Sequence, residues 1–344
     1  MPIIRILLFP FSILYDAITR FRNHLFDIGY TKSLEFDIPL INVGNLTVGG
    51  TGKTPMVEYL IRLLVNRYKV ATLSRGYGRK SKGFIIANED SSAATIGDEP
   101  FQLYYKFKND IIVSVGEERA LAIPEIMYHS EDREVIILDD AYQHRHVKPK
   151  LNILLSDYNR PFFEDYILPM GRLREARKGA NRADIVVISK CPANLDETSM
   201  KSFSDKVSKY KGNSDNVFFT TITYGSLIPV FDNSPNPTDR AVLVTGIANN
   251  GTLKSYLKGN YKLVDTLAYP DHHIYSINDV KKMVEICKSN PGVTIITTEK
   301  DAMRLRQPEF ESLLSHYSVF YLPIETTFLK NGKIFDELVL NSIQ

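Results

Sequence analysis

The glycine-rich segment at residues 41–55, INVGNLTVGGTGKTP, restricts the fold of this chain more than any other part of the sequence. An apolar run precedes the glycines, and Lys53 and Thr54 open a helical pattern directly after Gly52. In a strand, glycine loop and helix of this order, loop N–H groups point at an anion and the helix N-terminus favours negative charge. The pattern therefore predicts a phosphate-binding loop at the carboxyl end of a buried strand.

The loop ends in Gly-Lys-Thr, which predicts a site for ATP and Mg²⁺. Lys53 is expected to reach the β- and γ-phosphates, and Thr54 to hold the metal ion. The common pattern has glycine five residues before Gly52, where this chain has Thr47, so neighbouring glycines must supply the flexibility. An ordinary strand–turn–helix corner is the alternative interpretation. The predicted ATP-binding residues are Thr47, Val48, Gly49, Gly50, Thr51, Gly52, Lys53 and Thr54.

Short apolar runs alternate with helical patterns along the rest of the chain. In the first part we predict a helix at 53–66 and strands at 38–43, 69–73, 111–115, 135–138, 151–155 and 185–188. Their β-branched, nearly continuous apolar character is typical of parallel strands buried on both faces, as in a doubly wound α/β sheet. A second α/β rhythm begins near residue 218, with strands at 241–245, 263–267 and 293–297 and helices at 252–257 and 278–289. A surface helix is expected within 194–216, and a C-terminal helix at 334–340 could pack on either half.

Composition excludes several classes of protein. A length of 344 residues suggests about two domains. The formal net charge of +2 supplies no overall basic field for nucleic acid. Cys191 and Cys287 lie far apart and lack metal-ligand spacing, which excludes a disulfide framework and a zinc site and fits a reducing compartment. No uncharged apolar run reaches the ~18 residues that a membrane-spanning helix needs.

The first thirty residues predict an amphipathic helix with a broad apolar face. Its polar stripe consists of Arg5, Ser12, Asp16, Thr19 and Asn23. A helix of this kind can lie in a membrane surface. A terminal helix docked on the domain and a signal peptide are the alternatives, although no small-residue cleavage site is evident.

The run VIILDD ends in Asp139 and Asp140 and resembles the metal-holding strand of a phosphate-loop protein. Gly97-Asp98-Glu99-Pro100 is open to two interpretations. Asp98 is either the N-cap of the following helix, with Glu99 favouring its dipole, or a carboxylate that serves the γ-phosphate as metal ligand or general base.

Several cationic and histidine residues lie after these motifs. Gln143 and His144 follow the paired aspartates, and His272 lies in PDHH, where it either shares a proton with a carboxylate or is structural. Basic residues cluster in SRGYGRK and in GRLREARK, and such runs either remain solvated or bind phosphate.

Taken together, these segments resemble the tetraacyldisaccharide 4′-kinase family. The resemblance is carried, in order, by GNLTVGGTGKTP, SRGYGRK, GDEP, VGEER, ILDDAYQH, GRLREARKGANRADIVVISK, YPDHHIY and TTEKDAMRL. The chain departs from the family at Ala141, where glycine is usual, and after Gly246, where the usual proline is missing.

The resemblance implies an enzyme that uses ATP and Mg²⁺ to phosphorylate the 4′-hydroxyl of a tetraacyldisaccharide 1-phosphate, giving lipid IVA in lipid A biosynthesis. Its expected location is the cytoplasmic face of a bacterial inner membrane, as a peripheral or monotopic protein. The expected partners are the lipid A disaccharide precursor and the membrane surface, with no nucleic acid and no obligate protein partner.

The resemblance also implies a fold of two α/β/α domains with mainly parallel sheets and a P-loop NTPase-like N-terminal domain. We expect a membrane-associated helix at 1–30, the kinase domain at 31–218, a second domain with linker strands at 219–325, and a C-terminal helix at 326–344 that packs back on the first domain. The residue roles that it implies are catalytic for Asp98, His272 and Lys53, and metal-binding for Thr54, Glu99 and Asp139. The expected substrate-binding residues are Arg75, Tyr77, Arg119, Asp140, Gln143, His144 and Arg172.

Two competing hypotheses remain. The loop also resembles that of switch ATPases that change partners instead of phosphorylating a substrate, but those carry lysine where this chain has Val48. A soluble small-molecule kinase is disfavoured by the apolar N-terminus.

Overall fold

The computed structural model describes residues 2–247 and 249–344, with the side chains of residues 2–6 outside the described part. The strands in this part of the chain are β1 (Leu40–Asn45), β2 (Val70–Ser74), β3 (Ile85–Ile86), β4 (Ile111–Val115), β5 (Val135–Asp139), β6 (Leu151–Asp157), β7 (Ile185–Ser189), β8 (Val217–Tyr224), β9 (Ile228–Pro229), β10 (Arg240–Thr245), β11 (Lys262–Ala268), β12 (Thr294–Thr298), β13 (Ser318–Leu322) and β14 (Ile324–Phe328). The α-helices are α1 (Pro2–Asp27), α2 (Lys53–Leu64), α3 (Ala93–Ile96), α4 (Asp98–Phe107), α5 (Arg119–His129), α6 (Glu197–Lys211), α7 (Gly251–Asn260), α8 (Ile277–Ser289), α9 (Glu299–Leu305), α10 (Pro308–Leu314) and α11 (Gly332–Asn341).

The first sheet has nine strands in the order β14-β8-β7-β6-β1-β5-β2-β4-β3. Its central strands are parallel, and only the outer pairs β8–β14 and β3–β4 are antiparallel. The β1 strand lies between β5 and β6, with Val43 beside Asp139 and Asn45 beside Leu155. Because parallel strands end at one edge, the glycine loop after β1 and the carboxylates after β5 are brought together there.

The second sheet has five strands in the order β11-β10-β12-β13-β9, parallel except for β9. The expected α/β fold with mainly parallel sheets and an N-terminal helix is therefore confirmed. The strand β13 was not predicted, although all five of its residues are buried.

The connection between the two sheets consists of β8 and β14, which pair with each other at the edge of the first sheet. The domain limits at residues 218 and 325 stay a prediction, and each falls inside one of these strands. The boundary was predicted at residue 218 because the second α/β rhythm begins there. The pairing of β8 with β14, about a hundred residues further along the chain, is not visible in local patterns.

The C-terminal helix α11 packs on the first sheet, whereas its periodicity alone was compatible with packing on either half of the chain. Phe335 and Val339 are fully buried in one cluster with Val57 and Leu60 of α2 and Phe218 of β8. The end of the chain therefore packs beside the glycine-loop helix and shares its core.

Helix α1 contacts the first domain through its polar side chains. The Ser12 hydroxyl donates to the Ile167 carbonyl at 3.3 Å and accepts from the Met170 N–H at 2.9 Å. The Asn23 amide donates to Glu175 Oε2 at 2.7 Å, and the Tyr15 hydroxyl donates to the Arg174 carbonyl at 3.0 Å. The Arg5 side chain, predicted to share this stripe, lies outside the described part.

The apolar face of α1 points into solvent. Its exposed large side chains, each between 51% and 67% accessible, are Leu7, Phe9, Phe11, Ile13, Leu14, Ile18 and Phe21. Ile28, Tyr30 and Leu34 continue this apolar surface beyond the helix. Within residues 2–247 and 249–344, no helix has the length and apolarity needed to cross a bilayer.

Candidate phosphoryl-transfer site

The glycine loop is shaped by backbone conformations that favour glycine. Gly49 and Gly52 have φ angles of 104° and 81°, and Gly52 directly precedes α2. Three side chains donate hydrogen bonds to atoms of the loop. The Asn45 amide donates to Thr51 Oγ1 at 2.8 Å, Ser189 Oγ donates to the Thr51 carbonyl at 2.8 Å, and the Lys190 ammonium donates to the Gly50 carbonyl. These hydrogen bonds fix the backbone of residues 50 and 51 against β1 and the end of β7.

The adjacent carboxylates Asp139 and Asp140 have different surroundings. Asp139 is buried, and its Oδ1 atom has no hydrogen-bond partner. Burial raises the pKa of Asp139 to about 6, although the positive charge of Lys53 acts in the other direction. The Asp140 carboxylate accepts two hydrogen bonds from the Arg174 guanidinium, at 2.9 and 3.2 Å, and lies 3.6 Å from Lys53 Nζ. Burial also opposes ionisation of Asp140, but Lys53 and Arg174 hold its pKa below the usual range.

The residues at this edge fit a magnesium ion. The orphaned Asp139 oxygen and the buried Thr54 hydroxyl belong to the hard oxygen ligands that Mg²⁺ prefers, and a Mg²⁺ that also binds phosphate needs few protein ligands. Within the described residues, no three His, Cys, Asp or Glu side chains are arranged to hold a metal by themselves.

Asp98 is the first residue of α4, and the N-cap position belongs to Gly97. The capping interpretation of Asp98 is therefore wrong. Its carboxylate instead accepts hydrogen bonds from the Arg304 guanidinium, with Nε at 3.0 Å, and lies 3.5 Å from His272 Nδ1. Although burial raises it, the bonds to His272 and Arg304 hold the pKa of Asp98 below its usual range. The same contact with Asp98 raises the pKa of His272.

Glu99 faces the second sheet as well, since its carboxylate forms an ion pair with Lys300 of α9. The charges of Glu99 and Lys300 both act on the pKa of Asp139. The Asp98–Glu99 corner and the end of β5 therefore lie close to each other. Lys53 and the β5 carboxylates lie near the Asp98–Glu99 corner, and His272 and Lys300 contact that corner from the second half of the chain.

The expected substrate-binding residues are placed in two kinds of surroundings. Arg75, Tyr77 and Arg172 are exposed, and the Tyr77 ring lies 5.7 Å from the His272 ring, centroid to centroid. His144 is partly buried, and burial together with nearby arginine charges lowers its pKa to about 4. The Gln143 amide donates to the Asn45 carbonyl at 2.9 Å.

Arg119, which is expected to contact a phosphate group of the substrate, is buried in this structure, and its substrate contact stays a prediction. Its side chain is 1% exposed and donates to the carbonyls of Gly116 and Glu117 at 2.9 and 3.0 Å. It also lies 3.5 Å from the Asp139 carbonyl, so it links the ends of β4 and β5. Burial lowers its pKa to about 10.

Sequence analysis did not single out Arg174, Lys300 or Arg304 as site residues. Arg174 lay in a recognised basic run, and the other two lay in the TTEKDAMRL motif. The available signal was that this motif places three charged residues directly after a buried strand. Their partners Asp98 and Glu99 lie about two hundred positions away in the sequence, so the motif alone does not show which carboxylates these cations bind.

A phosphate-binding loop on a mainly parallel sheet, with a lysine and a strand-end aspartate beside it, defines a P-loop phosphotransferase. The chain belongs to the tetraacyldisaccharide-1-P 4′-kinase family, whose model matches residues 4–344. Membership in a kinase family argues against the switch-ATPase hypothesis.

Individual relatives support the same family. A protein from Flavobacterium johnsoniae named tetraacyldisaccharide 4′-kinase is 46% identical, and the alignment covers 100% of this chain and 98% of the relative. A protein of the same name from Phocaeicola vulgatus is 44% identical, with 97% and 95% covered. The "apo" form of LpxK from Aquifex aeolicus, a crystal structure in complex with ATP, superposes with a TM-score of 0.78 at 31% identity, covering 99% of this chain and 100% of that one.

We expect Asp139→Asn to stabilise the ligand-free protein at neutral pH. A carboxyl group whose pKa is raised on folding favours the folded state only below its unfolded pKa, and that contribution is lost as pH rises through the folded value of about 6. At pH 7.5 the charged Asp139 therefore opposes folding, by up to about 3 kcal/mol. In thermal unfolding with EDTA, the melting temperature of Asp139→Asn should exceed that of the wild type at pH 7, and the difference should shrink as pH falls to 4.

Asp140→Asn is the matched control for this experiment, because the pKa of Asp140 is shifted downward. Its carboxylate favours folding above the unfolded pKa, so the substitution should lower stability at pH 7.5, with a loss that fades in acid. If both substitutions raised stability at pH 7.5, or both lowered it, this account of the two carboxylates would be contradicted.

Proposed function

We propose that this chain transfers the γ-phosphoryl group of ATP to the 4′-hydroxyl of a tetraacyldisaccharide 1-phosphate, giving lipid IVA in lipid A biosynthesis. The observation that supports the proposal is that Lys53 and the strand-end carboxylates lie near Glu99, whose neighbour Asp98 pairs with His272. The names of the relatives supply the identity of the acceptor.

The proposed roles follow from the chemistry of phosphoryl transfer. Lys53 and the N–H groups of residues 47–54 bind the phosphates of ATP and offset their negative charge. Asp98 accepts the proton as the 4′-oxygen bonds to the γ-phosphorus and the bond to the β-phosphate oxygen breaks. His272 orients Asp98 and the acceptor hydroxyl.

The proposed metal ligands are Thr54, Asp139 and Glu99. Bound Mg²⁺ supplies positive charge that neutralises phosphate oxygens. Glu99 is paired with Lys300 in this structure, so that ion pair must open before Glu99 serves the metal.

The acceptor is proposed to enter beside Tyr77 and the exposed Arg75 and Arg172, whose charges suit its phosphate group. Asp140, held by Arg174, together with Gln143 and His144 forms the adjoining polar wall. We also propose that the two sheets belong to two domains that close over the nucleotide and exclude water.

The direct test is to incubate purified protein with ATP, Mg²⁺ and a tetraacyldisaccharide 1-phosphate and to look for a bis-phosphorylated product by mass spectrometry. Lys53→Ala should abolish product formation, because the loop loses its phosphate contact while the buried core is unchanged. An exposed control, Lys330→Ala, should remain active. ATP hydrolysis without transfer to the lipid would refute the kinase proposal.

We expect Asp98→Asn to lower kcat by roughly 10² to 10⁴ with little change in the KM for ATP, because the substitution removes only a proton acceptor. Asp98→Asn/His272→Ala should be little worse than the poorer single variant, since groups that act as a unit are not additive. Asp90→Asn, in an exposed turn, is the control. Fully multiplicative losses would mean that the two residues act separately.

We further propose that α1 attaches the enzyme to the cytoplasmic face of the inner membrane as a peripheral or monotopic protein. Two features support this: the polar stripe of α1 is used to dock on the kinase domain, and its large apolar side chains remain exposed. An apolar face of this size is disfavoured in water and suits the acyl region of a lipid surface. A lipid substrate would then be reached from the membrane plane.

Replacing Phe11, Leu14, Ile18 and Phe21 with serine should release the protein from lipid vesicles while leaving its fold intact. Each side chain contributes about 1 kcal/mol or more on insertion, so co-sedimentation should fall by well over about tenfold. The KM for ATP should not change. The matched control replaces Leu121, Tyr128 and Ile334, exposed apolar residues on other helices. Undiminished vesicle binding by the α1 variant would place the anchor elsewhere.

A further inference from the structure

Arg304 is buried at the contact between the two sheets, with its side chain 7% exposed. Its Nε donates to Asp98 Oδ2 at 3.0 Å, and its Nη2 faces both Asp98 and, at 3.3 Å, His272 Nδ1. Its Nη1 donates to Asp301 Oδ1 at 3.0 Å and to the Gly246 carbonyl at 3.3 Å. One guanidinium therefore contacts both members of the proposed catalytic pair and two anchors in the second sheet.

The anchors of Arg304 do not depend on Asp98. Asp301 is fully buried, and its Oδ2 accepts hydrogen bonds from the Gly246 N–H at 2.9 Å and from Thr298 Oγ1 at 2.7 Å. The position of the guanidinium is thus set by α9 and by the end of β10, whether or not α4 is in contact.

The His272 backbone is tied to the same anchors. The His272 N–H donates to the Gly246 carbonyl at 3.2 Å, and His272 has a φ of 58°, an unusual value for a residue with a side chain. A Cβ on residue 246 would lie 3.1 Å from Asp301 Oδ1 and 3.2 Å from the His273 Cβ, so glycine permits the close approach of these segments.

We infer that Arg304 is a positioning residue for the phosphoryl-transfer reaction, holding the Asp98 carboxylate and the His272 ring in the orientation that proton transfer requires. This inference rests on the proposed function. Asp98 belongs to α4 of the first sheet, while Arg304 and His272 belong to the second. The base is therefore oriented only when α9 is docked on α4, which links proton transfer to closure of the cleft.

The planar guanidinium is needed for this role because its donors point to several acceptors at fixed angles. A lysine ammonium keeps the charge but is a single point with a flexible stem, so it cannot hold Asp98, Asp301 and the Gly246 carbonyl together. An interaction that served only to attract the two sheets would be largely retained by lysine.

We expect Arg304→Lys to lower kcat by about 10- to 100-fold, since a small displacement of a catalytic group has effects of this size. The KM for ATP should stay within about twofold, because Arg304 does not contact the glycine loop. Arg306→Ala is the matched control. Arg306 lies on the same segment and stacks on Tyr105 of α4, 4.0 Å from the ring centroid. Its loss removes this stacking contact but leaves the ion pairs that hold α9 on α4, including that of Asp98. Arg306→Ala should retain the wild-type kcat, and an equal loss of kcat in both variants would overturn the inference.

A double-mutant cycle with Asp98→Asn gives the sharper test. If Arg304 acts through Asp98, then Asp98→Asn/Arg304→Lys should be no slower than Asp98→Asn alone. Multiplied losses would show that Arg304 acts independently and would refute the positioning role. Arg304→Gln repeats the cycle if the lysine variant fails to fold, as judged by thermal unfolding. The rates of all variants are compared with the wild-type rate of forming the bis-phosphorylated product. A wild-type enzyme that forms no such product would refute the proposed function and not the role of Arg304.

Discussion

Ion pairs between α4 and α9 join the two halves of the molecule, and the geometry of the cleft depends on them. Asp98 pairs with Arg304 and Glu99 with Lys300 at one end of this contact. Further along α4, the Lys106 ammonium lies 2.6 Å from each of two carboxylates, those of Glu58 in α2 and Glu299 in α9. Charges buried in this way are stable only while they are paired, so separating the sheets would leave several of them uncompensated. The same ion pairs hold the Asp98 and Glu99 carboxylates in place.

The end of β5 shows the opposite relation between charge and stability. Asp139 is buried with one oxygen unsatisfied, whereas the next residue, Asp140, is held by Arg174 and Lys53. A buried carboxylate without a full set of partners weakens the ligand-free fold, but it is ready to bind a cation. The ordered glycine loop beside it offers N–H groups to an anion, so the cation and the phosphate each complete the site for the other.

The N-terminal helix α1 contacts the protein through its polar side chains and not through its apolar face. A helix with one polar stripe normally buries its apolar face and turns the stripe to water. Here Ser12, Tyr15 and Asn23 are used for hydrogen bonds to residues 167–175 of the kinase domain, which leaves the apolar face free. Tyr15 of this helix donates to the carbonyl of Arg174, and the Arg174 side chain donates to Asp140. The helix that is proposed to bind lipid is therefore one residue away from the β5 carboxylates.

Much of this protein was determined by its sequence alone. Local patterns were sufficient for the glycine loop, for most strands of both sheets, for Asp139 at a strand end and for the family, because each is encoded by residues that are neighbours in the chain. Tertiary structure decided the rest. The partner of Asp98 is Arg304, 206 positions away, and the burial of Arg119 depends on the strands packed around it. The edge strand β14 pairs with β8 from about a hundred residues further along the chain, and α11 packs on α2 from the end of the chain. Periodicity and motifs specify which residues can be buried or charged, but the identity of a partner depends on how distant elements pack, and only the folded chain brings them into contact.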